Sequence, residues 1–174
     1  MPRDGVYDVL FLCTRNSARS IIAEAILNKL GQGKFKGYSA GTKPKGSIDP
    51  RALSLLQQMK YPVEGLRSKS IEEFSGPDAQ AFDFIITLCD SAAGEPMPQW
   101  PGHPVTAQWT FPDPARFESG EYNEAEIAAE FAETYKDINV LLSTFVSLPH
   151  ASLDRLSLED KVGEMSAQHA SRKG

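Results

Sequence analysis

The sequence predicts an α/β fold in which helices cover both faces of a parallel sheet. Two apolar runs, Val6–Cys13 and Phe82–Cys89, are too short for free helices and read as strands buried on both faces. Amphipathic helical patterns stand between and after them. The resulting alternation of strand and helix implies parallel pairing with right-handed crossovers.

Each element carries its own signal. Val6–Cys13 is broken only by Asp8, and the loop Thr14–Ser17 follows it. A helix then begins, with Ile22, Ile26 and Leu30 on one stripe, Ala23 and Leu27 beside it, and Gly31 as its stop. "GYSAGT", Gly37–Thr42, is a short strand entering a glycine turn. Asp49–Met59 reads as a helix with Asp49 as N-cap, Pro50 at its first position and a Leu53/Leu56 face. Ser70–Phe74, "SIEEF", carries a capping box of Ser70 and Glu73. Phe82–Cys89 is the second buried strand, and Ser91–Pro104 is a loop rich in Pro and Gly. Val105–Phe111 is a strand ended by Pro112. From Glu124 to Ser147 runs a long helix, with Ile127, Phe131, Tyr135, Ile138, Leu142 and Phe145 three or four apart. Residues 1–149 form one catalytic domain in this reading, and 150–174 a tail holding at most a short helix before it frays.

Composition narrows the chemistry. The length of 174 residues suits a single domain with a proper core. A net charge of −5 with no basic block argues against nucleic acid and acidic membrane surfaces, so positive potential for an anionic substrate must be local. No apolar run approaches the ~20 residues that span a bilayer, and "MPRDG" lacks a signal-peptide pattern. The expected location is the cytoplasm, where a stable structural disulfide is disfavoured. Two cysteines cannot build a four-ligand zinc site, and His103, His150 and His169 show no ligand spacing, so no metal is expected.

Ligands of such folds bind at the carboxyl ends of the strands. Cys13 and Cys89 each close a predicted strand and so belong on that rim. Strand, Cys-x5-Arg-Ser, helix is a mechanism as well as a pattern. The loop of Cys13, Thr14, Arg15, Asn16, Ser17, Ala18, Arg19 and Ser20 turns backbone N–H groups inward as an oxyanion nest. The helix that follows adds the positive end of its dipole. That field is expected to lower the Cys13 thiol toward the ~3.5–7.5 of activated cysteines. Arg19 can grip two oxygens of a tetrahedral anion. Ser20 can donate to the sulfur, Ser17 is one more donor, and Asn16 can hold the loop through backbone bonds and tolerate an unusual φ.

"FLCTRNSARS", Phe11–Ser20, resembles the anion-binding loop of the low-molecular-weight protein tyrosine phosphatase superfamily, most of all its arsenate reductase branch. The likeness continues in order through Tyr38–Thr42, "RSKSIEEF" at Arg67–Phe74, "FIITLCD" at Phe84–Asp90 and "FPDPAR" at Phe111–Arg116. It implies a three-layer α/β/α fold with a four-stranded parallel sheet. It also implies that Cys13 is the nucleophile, Arg19 the clamp and Asp113 the general acid that protonates the leaving oxygen. The prolines on either side of Asp113 stiffen its turn. One departure lies in the loop: the family commonly has Gly where this chain has Arg15. The position must therefore accept a side chain, whose charge either serves substrate or thiol donor or is simply exposed.

Reducing arsenate takes two electrons, which two thiols can supply. If the strands ending at Cys13 and Cys89 are neighbours, their backbones lie ~4.8 Å apart, compatible with a Cys13–Cys89 disulfide. Family members with an internal relay carry a further cysteine shortly after the second. Met97 occupies that place here, and methionine cannot exchange with a disulfide. Two routes stay open: a Cys13–Cys89 disulfide reduced from outside, or direct attack by glutathione with glutaredoxin resolving the mixed disulfide. Cys89 is optional in the second route, and its alternative reading is a packed thiol at a strand end. The expected activity is arsenate reduction to arsenite, with no bound cofactor and with an external thiol, glutathione and glutaredoxin, favoured over thioredoxin. The alternative is a phosphatase hydrolysing phosphate monoesters through a cysteinyl-phosphate on the same residues. Against it, Ala115, Arg116 and Phe117 follow the acid where that branch places tyrosines, and the first tyrosine is Tyr122. Trp100 and Trp109 flank the loop and are read as core or rim packing.

Overall fold

The computed structural model describes residues 5–76, 79–89, 100–115, 120, 122–149 and 160–164. Met97, Arg116, Phe117, His150, His169 and most of the expected tail lie outside the described residues. The elements are β1 Tyr7–Cys13, α1 Arg19–Leu30, β2 Phe35–Gly41, α2 Pro50–Gln58, a 3-10 turn at Ile71–Phe74, β3 Phe84–Thr87, β4 Val105–Gln108 and α3 Glu124–Ser147. Residues 160–164 are helical.

All strand pairs are parallel, in the order β2-β1-β3-β4. The continuous apolar character of β1 has a direct cause. Val9 and Phe11 face the main core with Ile22, Ile26, Phe131 and Phe145, while Leu10 and Leu12 face a second cluster with Phe82, Ile85, Phe74 and Trp100. Both faces are covered, so no polar alternation survives. α1 and α3 pack together over the larger cluster.

Several expectations need correcting. The second strand is shorter than predicted, at Phe84–Thr87, because β4 pairs only across those four residues. Cys89 lies just past its end, and the Leu88 N–H still donates to Leu12 O at 2.8 Å. β4 likewise stops at Gln108, although Trp109 N–H donates to Thr87 O at 2.7 Å and Phe111 N–H to Leu88 O at 3.1 Å. Leu30 is exposed, while Ile21 is buried beside Ile22, because the first two turns of α1 are enclosed and its last turn emerges into solvent. At Ser70–Phe74 there is no capping box. Ser70 Oγ accepts from Glu72 N–H at 3.2 Å, but Arg67 takes the Glu73 carboxylate bidentately, at 2.9 and 2.5 Å. A box that sequence reading passed over does form at Asn123/Glu126 and starts α3. No helix of the described residues is long and apolar enough to cross a membrane.

Candidate active site

The Cys13–Arg19 loop leaves the carboxyl end of β1, a central strand, and enters α1. Its shape is set at one residue: Asn16 has φ +50°, the left-handed region that Asn tolerates better than most. That turn buries the Asn16 side chain completely and points it both ways. Its Nδ2 donates to Ser20 Oγ at 2.7 Å, and its Oδ1 accepts from the Lys69 N–H at 2.8 Å. Arg15 has no such φ, which is why this position holds a side chain; the residue is exposed. The second half of the loop reaches α1 through Ala18, and no side chain caps that helix's N-terminus. Its first N–H groups therefore face the loop.

The β2 end braces the loop from outside. Gly41 lies in register with Cys13. A Cβ on Gly41 would sit 2.6 Å from Thr14 O and 3.0 Å from Asn16 Cβ. Beyond it, Thr42 N–H donates to Cys13 O (3.2 Å), Lys43 N–H to Thr14 O (2.9 Å) and Lys45 N–H to Arg15 O (2.9 Å). Ser17 O accepts from the N–H of Asp49, the α2 cap, at 2.9 Å. Gly41, the second glycine of "GYSAGT", thus braces the loop, and its place at the carboxyl end of a strand was the available signal.

Cys13 and Cys89 are both free thiols, both buried, and packed against each other. Thr14 Oγ1 lies 3.5 Å from Cys89 Sγ. The Cys13 thiol is pushed well above its ordinary range, the reverse of the sequence expectation. The hydrogen bond with Cys89 is the largest cause, followed by burial. Arg19 and the Thr14 backbone N–H pull the other way, so the expected field exists. It is outweighed because a second thiol shares the proton. Ser20 is fully buried behind the loop. It accepts at 2.7 Å from the Asn16 amide, which the left-handed turn folds back onto it, and keeps its own O–H as a donor.

Arg19 joins this loop to the acid. Its Nη1 donates to Phe111 O at 2.9 Å and its Nη2 lies 3.7 Å from Asp113 Oδ2. The other Asp113 oxygen accepts from Ala115 N–H at 3.0 Å, an Asx-type turn between the two prolines. The fold thus brings together Cys13, Arg19, Cys89 and Asp113 from β1, α1 and the ends of β3 and β4.

Behind the loop lies a charged group that the sequence reading did not single out. The buried Lys69 ammonium is 3.6 Å from Glu24 Oε1, 3.4 Å from Ser39 Oγ and 2.9 Å from Arg67 O. Ser39 donates to Glu24 at 2.5 Å. Burial raises the Glu24 carboxyl and lowers the Lys69 ammonium, each against the pull of its partner. Scattered over three elements, these residues form no local pattern.

The family described as low molecular weight phosphotyrosine protein phosphatase matches residues 8–156, and the chain belongs to it. Within it the similarities run to arsenate reductases. The glutaredoxin arsenate reductase of Synechocystis is 32% identical over 106 residues, which cover 61% of this chain and 77% of that protein. A solved arsenate reductase in the phosphate-binding state is similar with a TM-score of 0.59 and 25% identity, covering 80% of this chain and 98% of that one. The thioredoxin-dependent arsenate reductase of Corynebacterium glutamicum is similar with a TM-score of 0.55 and 25% identity, covering 83% of this chain and 65% of that one. The chain therefore falls with the arsenate reductases of the superfamily.

Proposed function

We propose that this protein reduces arsenate to arsenite with electrons from an external thiol of the glutathione and glutaredoxin type. The observation that carries the reading is the contact between Cys13 and Cys89 at the mouth of the loop. Hydrolysis of a phosphate ester uses one thiol, whereas reduction uses two. Arsenate enters the nest of N–H groups from Thr14 to Ser20, with Arg19 as its bidentate clamp. Proton release from the thiol pair frees one sulfur, and Cys13, facing Arg19, attacks arsenic. A hydroxide leaves as water with the proton of Asp113, and a sulfur–arsenic bond replaces the oxygen–arsenic bond. A second thiolate, from Cys89 or from glutathione, then attacks the Cys13 sulfur. The sulfur–arsenic bond breaks, its electron pair stays on arsenic, and arsenite departs. The two electrons come from the two sulfurs, which are left as a disulfide. External thiol reduces that disulfide and closes the cycle.

Met97 stands where a relay cysteine would be needed, which favours glutathione and glutaredoxin over thioredoxin as the donor. The name of the Synechocystis relative supports this choice, and that of the Corynebacterium protein supports its rival. A reducing compartment, the cytoplasm, suits a site whose two thiols must start reduced.

Turnover with separate donors tests the proposal. Arsenite release is expected with glutathione plus glutaredoxin and is expected to vanish in Cys13→Ser. Full-rate turnover on thioredoxin alone would overturn the donor assignment. Absence of arsenite with every donor, beside brisk aryl phosphate hydrolysis, would assign the chain to the phosphatases instead.

A further inference from the structure

The family match ends at residue 156, yet the chain continues and returns to the body of the protein. Val162 is fully buried and belongs to the main core. Its carbonyl accepts a hydrogen bond from the indole N–H of Trp109 at 2.9 Å, itself buried. Trp109 is among the largest side chains fully enclosed in the molecule, and its ring also meets Phe145 edge-on at 5.8 Å. An indole N–H buried without an acceptor costs about 1–3 kcal/mol. The Val162 carbonyl therefore decides whether Trp109 can stay where it is.

Trp109 is also the root of the loop that carries the acid. Two residues on, Phe111 accepts from Arg19; two further on stands Asp113, 3.7 Å from the same guanidinium. A shift of Trp109 passes along the five residues Trp109 to Asp113, of which the third is tied to the clamp and the fifth is the acid. We infer that residues 160–164 position the acid loop, by seating Val162 on Trp109. Val162 and Trp109 are then positioning residues for the reaction proposed above, on which this inference rests. Trp109 lies within the stretch that the family model matches, and Val162 lies outside it.

Two variants test it. Val162→Asp places a charge in the core position and unseats the segment. Trp109→Phe keeps an aromatic ring in the core and removes the indole N–H together with the pyrrole half of the ring. Amide exchange at residues 109–111, measured well below the melting temperature, should quicken by about tenfold or more in Val162→Asp, and less in Trp109→Phe. The rate of arsenite release should fall by about 10- to 100-fold in Val162→Asp, as for a catalytic group misplaced by about 1 Å. With aryl phosphates, the loss should be greater for poor leaving groups than for good ones, because only the former depend on the acid. Val162→Ile, the conservative control, should leave both exchange and rate near their wild-type values. Unchanged exchange at residues 109–111 in both variants would overturn the inference. So would faster exchange with wild-type turnover, or a loss independent of leaving group. A wild-type protein that releases no arsenite, while exchange still responds to Val162→Asp and leaving-group dependence still shifts, would sink the arsenate reading and spare this one.

Discussion

Gly41→Ala is the most economical test of how the cradle is held. The methyl would meet Thr14 O at 2.6 Å, Asn16 Cβ at 3.0 Å and Asn16 N at 3.1 Å. Ordinary separations begin near 3.4 Å, so the Thr14 carbonyl must retreat by roughly 0.8 Å. It cannot do so alone. Lys43 N–H holds that carbonyl, Thr42 N–H holds Cys13 O, and Gly41 itself is tied to Lys69 O at 2.8 Å. The strand and the loop must part. Overpacking of this kind costs about 1–3 kcal/mol, which for a chain of this size lowers Tm by about 2–4 °C per kcal/mol. The rate should suffer more than the fold. A displacement approaching 1 Å at a positioned nucleophile costs about 100-fold. The assay is kcat/KM for arsenite release, with inhibition by inorganic phosphate as a measure of anion affinity and a thermal melt as control. The expected result is a fall of about 100-fold in kcat/KM, weaker phosphate inhibition and a modest drop in Tm. A lowered Tm with unchanged kcat/KM would mean that the strand yields and the loop does not, refuting the argument. Unchanged values of both would deny the clash itself.

Other outcomes follow from the same contacts. Asp113→Asn should slow turnover by about 10²- to 10⁴-fold, as loss of a general acid does, and wild-type kinetics would remove Asp113 from the mechanism. Mass spectrometry of the oxidised protein should find a Cys13–Cys89 disulfide, and Cys89→Ser should lower the rate; a glutathione adduct on Cys13 with an unchanged rate would leave Cys89 a packing residue. Lys69→Met strands a buried carboxylate and should cost about 3–5 kcal/mol by denaturant melts, while Lys69→Met with Glu24→Gln should recover most of it; additive losses would deny the pairing. Because burial raises the Glu24 carboxyl, its stabilising contribution is complete below its ordinary 4.5 and fades as pH rises through its folded value. Relative to Glu24→Gln, the wild type should thus gain stability as pH falls from 7 toward 4.5, and a pH-independent difference would contradict the direction of that shift.

The sequence carried the parts of this fold that depend on period and punctuation. α3 runs over the predicted Glu124–Ser147, and α2 begins at the Asp49-Pro50 signal, because each rests on local chemistry. The ends of β3 and β4 were overextended because their apolar runs continue beyond the residues that find a partner. Tertiary pairing, unlike hydropathy, sets a strand's length. The left-handed Asn16 and the residues of the loop were legible as a motif. The Cys13 proton was not, since it depends on a sulfur 76 positions away. The Lys69–Glu24–Ser39 group and the Trp109–Val162 bond were invisible for the same reason: each joins side chains or carbonyls from separate segments, with no spacing to betray it.

The distance in sequence between the two thiols also bears on the whole polymer. A bond between Cys13 and Cys89 closes a ring of some 77 residues that begins at the last residue of β1 and contains α1, β2, α2 and β3. Such a ring removes unfolded-state entropy equivalent to roughly 4 kcal/mol, or on the order of 10 °C in Tm for a chain of this length. Each oxidation would thus convert an open chain into a looped one and each reduction would open it again. The catalytic cycle would then be a cycle of chain topology, and a melting curve could report the oxidation state of the enzyme.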